Sequence, residues 1–337
     1  MDYNEIEFPK MTKRISSIIA TTHIDAHNQR FAKEALEQMA IDVNTGNKPP
    51  LTLMHDVTIP PLGKMLSAVV ERREDGEYQL VVESEIFEHI TWTEINGTKL
   101  AKGESIANRK PFVDKYKETS SEQFTVAVDV MNFESYERLQ SFMDELKEES
   151  PVDFVESNFG RKSAIPDPEI IIGLAKTIVA FLLGKKLIDK IAENVVDEIS
   201  SNIGDDIAEF YTLTKTAIVS FVRSARPKNR PITYIFVLKG QPNIEFVART
   251  TDSNLVLSAI HLEKMQGALE QARPTIEMLD AMTAQFLLND AGEWEFNYML
   301  TKTGGVIGTE QSYKKRDEVF EIAFSANAIN SDDSATV

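Results

Sequence analysis

Residues 50–65 read Pro-Leu-Thr-Leu-Met-His-Asp-Val-Thr-Ile-Pro-Pro-Leu-Gly-Lys-Met. The apolar start of this stretch predicts a strand that delivers His55, and a Pro-Pro-Leu-Gly turn follows before a second strand begins at Lys64. A histidine at the end of a strand, next to a proline-stiffened turn, is well placed for acid–base chemistry. The same pattern also fits a hairpin whose turn happens to carry a histidine.

The segments on both sides extend this pattern. Before it, a predicted strand from Ile18 leads to Asp25 and to a helix over 29–40. After it, two predicted strands are joined by Glu74-Asp75-Gly76-Glu77, which is a strong hairpin signal. This order of strands, helix and turns, over roughly residues 15–90, resembles the prohead (capsid-maturation) serine proteases of tailed phages, whose fold is shared by herpesvirus assemblins.

The resemblance implies a β-barrel-like protease-type domain decorated by helices, with His55 in the position of the catalytic histidine. As a general base, His55 needs a nucleophile and an orienting third group. The candidates are Ser157 and Ser150, or more distantly Ser120 and Ser121, for the nucleophile, and Asp129, Glu85 or His89 for the third group. If the domain is active, the serine hydroxyl attacks a peptide carbonyl while His55 takes and returns the proton.

Composition excludes several classes of function. The chain has 337 residues, no cysteine and a formal charge of −17. The missing cysteines exclude disulfides, thiolate metal sites and cysteine nucleophiles. The negative charge argues against general nucleic-acid binding, because phosphate backbones require clustered Lys and Arg. One basic stretch, 223–230, is interpreted as a solvated linker.

Two further patterns leave the function of their residues open. His23 and His27 have a helix-type zinc-ligand spacing that could include His55, but a turn with Asp25 or Asn28 capping the next helix is the favoured interpretation. Ile170–Leu183 is predicted as an apolar helix. Its rise of about 21 Å is short of the roughly 30 Å of a bilayer core. It is therefore interpreted as a buried or self-associating helix, with membrane contact through 170–183 as the alternative.

The remainder is predicted as a separate α+β region. The breaks at Asn158–Glu169 predict a domain boundary. The predicted elements are amphipathic helices over 187–200 and 205–221, strands at 231–239 and 243–250 that Gly240–Pro242 links as a hairpin, a helix over 254–282 that Pro274 kinks or ends, and strands at 284–289 and 294–301. Asn243–Thr250 alternates as a half-exposed strand does. An antiparallel sheet with one covering helix is the simplest arrangement.

Together these observations predict an α+β protein: an N-terminal β-barrel-like protease-type domain with helices, then a helical hairpin and an antiparallel α+β domain. The predicted divisions are residues 1–160, 161–230, 231–325 and a flexible tail at 326–337. The predicted function is peptide-bond hydrolysis with His55 as base, on a protein or peptide substrate. The alternative is a catalytically inactive assembly or phage-defence component. We expect no cofactor, no metal, a homo-oligomer, no signal peptide, and a cytoplasmic or virion-associated protein.

Overall fold

The computed structural model describes residues 13–24, 30–87, 90–95, 97–105, 109–116, 122–160, 167–183 and 196–332. Helices and strands are mixed, which confirms the α+β class, and the fold includes a curled antiparallel half-barrel sheet. The chain forms two compact units. Unit 1 combines Met1–Asp114 with Leu300–Val337, and unit 2 is Lys115–Met299.

Unit 1 contains a four-stranded antiparallel sheet in the order β1-β4-β3-β2. Its elements are β1 (Lys13–Thr21), α1 (Lys33–Asn44), β2 (Pro50–Leu51), β3 (Gly63–Arg72) and β4 (Tyr78–Ile86). The predicted Glu74–Glu77 hairpin is confirmed, because β3 and β4 pair antiparallel and Gly76 takes the left-handed φ of 90° that its turn requires. The helix α1 packs its apolar stripe on the sheet, where Leu36 meets Leu80 and Val82 in a common core.

A second set of strands in unit 1 has the order β5-β6-β14. The elements are β5 (Ile90–Ile95), β6 (Thr98–Gly103), β14 (Val306–Thr309) and α7 (Glu310–Asp332). Tyr313 fixes α7 to this sheet, because its hydroxyl donates to the Val306 carbonyl at 2.7 Å and accepts from the Gly103 N–H at 3.1 Å. The helix α7 ends at Asp332, so the first part of the tail predicted at 326–337 is helical. Residues 333–337 lie outside the described residues.

Unit 2 is built around a mixed sheet whose strand order is β13-β12-β11-β10-β9-β7-β8. The strands are β7 (Phe124–Asp129), β8 (Phe154–Phe159), β9 (Glu169–Gly173), β10 (Ile232–Leu238), β11 (Asn243–Thr250), β12 (Ala281–Leu288) and β13 (Trp294–Thr301). The helices are α2 (Tyr136–Glu149), α3 (Lys176–Leu183), α4 (Val196–Ser224), α5 (Ser253–Ala259) and α6 (Leu262–Met278). The predicted β10–β11 hairpin is confirmed, but the β9–β10, β11–β12 and β7–β8 pairs are parallel, so a purely antiparallel sheet is wrong.

The two faces of this sheet differ in chemistry. One face is apolar and carries the stacked pair Phe246 and Phe286, whose centroids are 5.0 Å apart, with Trp294 edge-on to Phe246. The Trp294 indole N–H donates to the Ala259 carbonyl, which ties α5 to the sheet. The opposite face carries buried polar side chains, among them Glu169, Thr233, Asn243, Glu245, Thr283 and Gln285. Burying polar groups is costly unless they are paired, so these side chains need hydrogen-bond or ion-pair partners.

The helix predicted over Ile170–Leu183 is wrong in its first part. Glu169–Gly173 is an interior strand of the sheet, and the helix α3 begins only at Lys176. A short apolar run of β-branched residues does not distinguish a buried strand from a buried helix. The strand lies between β10 and β7, so only Lys176–Leu183 of the predicted segment is helical. Among the described residues, no helix is long and apolar enough to cross a bilayer.

The division into units also differs from the predicted boundary at residue 160. Strands on both sides of Asn158–Glu169 belong to one sheet, so this segment connects elements inside unit 2. The helix predicted over 205–221 is confirmed as part of α4, while 187–195 lie outside the described residues. The helix predicted over 254–282 is interrupted at Ile260, between α5 and α6. Pro274 lies inside α6 and does not end it.

Candidate functional site

His55 lies in a turn of unit 1, exposed to solvent. The strand predicted to deliver it is wrong, because β2 ends at Leu51. Met54 and His55 both have left-handed backbone angles, with φ of 48° and 59°. Such angles end an extended strand, and the turn is closed by a hydrogen bond from the Asp56 N–H to the Leu53 carbonyl at 2.8 Å.

The three predicted partners of His55 belong to unit 2, and two of them make local contacts. Ser150 ends α2, is buried, and accepts the Val152 N–H at 3.2 Å through its hydroxyl. The Asp129 carboxylate accepts the Met131 N–H at 2.9 Å and begins the short 3₁₀ helix Val130–Asn132. Ser157 is exposed on β8, opposite Ala127 of β7.

The more distant candidates for partners of His55 lie in unit 1 or outside the described residues. In unit 1 the buried Glu85 accepts the Ser105 hydroxyl at 2.8 Å. Ser120, Ser121 and His89 lie outside the described residues, as do His27 and the predicted caps Asp25 and Asn28. His23 contacts Asp75, with 3.0 Å between Nε2 and Oδ2. Among the described residues, no group of three or more His, Asp or Glu is arranged to hold a metal ion.

The basic stretch at 223–230 is tied to acidic residues of unit 2. Arg223 pairs with Glu149 at 3.2 Å and Arg226 pairs with Glu134 at 3.1 Å. Arg230 pairs with a third carboxylate at 3.1 Å. These pairs fit the predicted linker, since each guanidinium already faces a carboxylate.

A buried carboxylate on the polar face of unit 2 is the centre of the best-defined polar cluster. Glu245 of β11 accepts the Tyr116 hydroxyl at 2.7 Å and the Lys115 ammonium at 2.8 Å through Oε1. Its Oε2 accepts the Gln285 amide at 3.0 Å. The carboxylate is only 2 % exposed, whereas the Lys115 side chain is 46 % exposed. The cluster therefore runs from the interior to the surface.

Neighbouring strands hold the floor of this cluster in one orientation. Gln285 of β12 lies directly opposite Glu245 in the parallel β11–β12 register. Its amide nitrogen also contacts the Tyr298 hydroxyl at 3.1 Å, and its carbonyl accepts the Asn297 amide at 2.8 Å. A buried amide with both ends bonded cannot rotate freely, so the Gln285 N–H stays directed at Glu245.

Electrostatics keep the Glu245 carboxylate ionised. Burial acts to raise its pKa, but the charge of Lys115 and the hydrogen bonds from Lys115, Gln285 and Tyr116 outweigh burial and hold the pKa below its usual value. Burial raises the pKa of Tyr116 well above its usual value, and the negative charge of Glu245 adds to this effect. Tyr116 is therefore a neutral donor to a charged acceptor.

Lys115 binds this carboxylate as an ammonium ligand would. Its Nζ lies 2.8 Å from Glu245 Oε1 and 5.1 Å from the centre of the Tyr116 ring. A carboxylate combined with an aromatic face is the arrangement by which proteins hold organic cations. The alternation of Asn243–Thr250 predicts a half-exposed strand, whereas its first six residues are buried, so no local pattern indicates this site.

Comparison of the chain with protein-family models, with curated proteins and with solved structures finds no match. The site therefore has to be interpreted from its own chemistry.

Proposed function

We propose that the chain is a recognition protein whose unit 2 binds a primary ammonium group, carried by a lysine of a protein or peptide partner, at Glu245. The observation that carries this proposal is the pairing of a fully buried carboxylate with a half-exposed lysine. Among the described residues that contact Glu245, Lys115 is the one cation, and the other two contacts are neutral donors.

The energetics favour exchange of the ammonium. An ionised carboxylate that is buried without a cation costs several kcal/mol, so the ionised Glu245 is stabilised by a positive group. Tyr116 and Gln285 satisfy the remaining acceptor positions and are held by the sheet, so the site is already organised for a cation. Lys115 reaches it from the surface, and a lysine of a partner would make the same contacts if Lys115 moved aside.

Chemical rescue tests the proposal directly. In a Lys115→Met variant, n-butylammonium should bind with a dissociation constant on the order of 1 mM, which corresponds to about −4 kcal/mol. A lysine-containing peptide should bind the same variant, and the same peptide with norleucine in place of lysine should not. Calorimetric titration and thermal unfolding with the added amine measure both effects.

Two matched variants decide the outcome. Lys115→Met/Glu245→Gln should lose butylammonium binding, because its carboxylate is gone while its shape is kept. The unsubstituted protein should bind the amine at least tenfold more weakly, since Lys115 competes for the carboxylate. A folded Lys115→Met protein that shows no saturable amine binding would contradict the proposal.

Peptide hydrolysis with His55 as general base is the second candidate. It is supported by the left-handed angles of Met54 and His55, because strained non-glycine backbone clusters at functional sites. This second candidate includes the prediction that the N-terminal part is a β-barrel-like protease-type domain. Incubation with casein and with the denatured chain itself tests it. His55→Ala should remove all cleavage while costing on the order of 1 kcal/mol of stability. Cleavage that persists in His55→Ala would exclude this role.

A further inference from the structure

A polar cavity lies in unit 2 between the helix α2 and the segment 223–226, where the helix α4 ends. Its volume is about 80 Å³. A bound water needs roughly 10–15 Å³ of such a volume, so the cavity has room for about five water-sized groups. Three arginines and two glutamates line it, together with two serines and the buried Phe142. None of these residues belongs to the Glu245 cluster.

The three arginines of this cavity keep N–H donors that the chain does not use. The Arg138 guanidinium makes no hydrogen bond or ion pair with any described residue. Arg223 pairs with Glu149 through Nη2 alone. Arg226 bonds through Nε, to Glu134, and through Nη1. Within the described part of the chain, Nε and Nη1 of Arg223 and Nη2 of Arg226 are therefore also left without an acceptor.

The two ion pairs at the cavity leave it accessible to another anion. The four side chains of the pairs Arg223–Glu149 and Arg226–Glu134 are each at least 41 % exposed. Ion pairs in contact with solvent contribute little to stability, so they can rearrange at low cost. A guanidinium also carries five N–H donors in a planar fork, so it can hold a carboxylate on one edge and another oxygen on the next.

The end of α4 does not oppose an anion as a free helix end would. The Lys228 ammonium donates to the Val222 carbonyl at 2.9 Å and to the Arg223 carbonyl. Burial lowers the pKa of Lys228, and the positive charge of Arg226 adds to this effect while Glu134 acts in the opposite direction. Lys228 and Arg226 therefore repel each other, and an anion between the arginines would relieve that repulsion.

We propose that this cavity binds a phosphate monoester, whose oxygens accept hydrogen bonds from Arg138, Arg223 and Arg226. A phosphate group offers three strong acceptor oxygens, one for each guanidinium, whereas a carboxylate offers two. One phosphorus and four oxygens also match the space for about five water-sized groups. Arg138 and Glu134 at the rim are exposed, so the carbon side of the ester can extend into solvent.

Glu145 lines the same cavity with the opposite charge. Its carboxylate makes no hydrogen bond or ion pair with any described residue. A charged carboxylate close to a bound phosphate is repulsive and should limit its affinity. Removal of Glu145 should therefore have the opposite effect to removal of an arginine, which gives the proposal a second test of its own sign.

Calorimetric titration of the full chain with O-phosphoserine, and with serine as the reference, tests the proposal. We expect saturable binding of O-phosphoserine and none of serine. Arg138→Met should weaken the binding about tenfold, because it removes a charge-assisted hydrogen bond. The matched control is Arg14→Met, which removes an exposed arginine of unit 1 and should leave the affinity unchanged. Glu145→Gln should strengthen the binding severalfold.

Circular dichroism checks that the variants are folded. No saturable binding of O-phosphoserine, full affinity in folded Arg138→Met, or weaker binding by folded Glu145→Gln would each overturn the proposal. A phosphoserine peptide separates the two sources of the ester. Tighter binding of the peptide than of free O-phosphoserine would identify a phosphorylated protein segment as the ligand. Equal affinities would identify a small phosphate ester. Because the cavity and the Glu245 cluster share no residue, failure here leaves the proposed ammonium site untouched.

Discussion

The Lys115 ammonium forms an ion pair with the Glu245 carboxylate at 2.8 Å, although the lysine side chain is nearly half exposed and the carboxylate is almost completely buried. A pair with one buried and one exposed partner is asymmetric. If the lysine is removed, a charge is left in the interior. If both partners are replaced, no buried charge remains. The stability of unit 2 should therefore depend on which partner is changed.

Lys115→Met should destabilise unit 2 by about 3 kcal/mol at neutral pH, because it leaves Glu245 without a cation. Lys115→Met/Glu245→Gln should recover part of that loss. Urea unfolding measures both. Trp294 lies in unit 2 and Trp92 in unit 1, and they are the two tryptophans of the chain. A Trp92→Phe background therefore makes the fluorescence specific for unit 2.

The chain contains a matched control for this substitution. Lys99 pairs with Glu310 at 2.6 Å and lies 4.6 Å from the Trp92 ring, but both partners of this pair are more than half exposed. Lys99→Met, measured with Trp92 retained, should cost less than about 1 kcal/mol. Equal losses from Lys115→Met and Lys99→Met would show that burial of Glu245 does not govern the stability of its pair.

Acid should weaken unit 2 through Glu245. The folded pKa of this carboxylate is depressed, so the unfolded chain binds its proton more readily. The stabilisation is complete above the usual glutamate pKa and is lost as the pH falls through the folded value. In urea unfolding at decreasing pH, the unsubstituted protein should lose stability more steeply than Glu245→Gln. Parallel curves for the two proteins would contradict the depressed pKa.

Local turn chemistry made parts of the fold predictable from sequence. The Glu74–Glu77 hairpin and the β10–β11 hairpin depend on residues close in the chain, and both are confirmed. The helix predicted over Ile170–Leu183 failed because a buried strand and a buried helix share one signal, an apolar run. The two compact units differ from the predicted divisions, because Leu300–Val337 groups with the N-terminal part through contacts that no local pattern records.

The candidate site could not be predicted for the same reason. Glu245, Gln285 and Asn297 lie on three different strands, and the strand order β13-β12-β11 brings them together. In sequence each is a polar residue of a predicted strand, and such residues are normally assigned to solvent. His55 was conspicuous because it lies in a local motif, whereas Glu245 acquires its chemistry from burial.

Gly304 should tolerate no side chain. A Cβ built there would lie 2.1 Å from both the Lys110 carbonyl oxygen and Lys64 Nζ, and φ is 78°. Gly304→Ala should therefore destabilise unit 1 by about 3 kcal/mol or more, from strain and overpacking together. Gly97 has the same φ with nothing within 4 Å of its built Cβ, so Gly97→Ala should cost only about 1 kcal/mol. Thermal unfolding of the two variants separates strain from steric overlap, and equal losses would contradict the predicted overlap at Gly304.

Alkaline pH should stabilise unit 1 through Lys64. This side chain is fully buried, donates to the Lys110 carbonyl at 2.7 Å, and lies 5.2 Å from the Phe112 ring. Burial lowers its pKa to about 8, although the charge of Glu85 acts in the opposite direction. An unfolded lysine keeps its proton up to about pH 10.4. Between these values the unfolded chain binds the proton that the folded chain has released, so the free energy of unfolding rises with pH.

Lys64→Met removes this titration and supplies the comparison. From about pH 7 to about pH 10, the stability of the unsubstituted protein relative to Lys64→Met should increase by about 2 kcal/mol. Other lysines and tyrosines titrate in both proteins, including Lys239 of unit 2, whose pKa burial also lowers to about 8. Their effects cancel in the difference between the two urea-unfolding curves. A difference that stays constant over this range would mean that Lys64 keeps an ordinary pKa in the folded state.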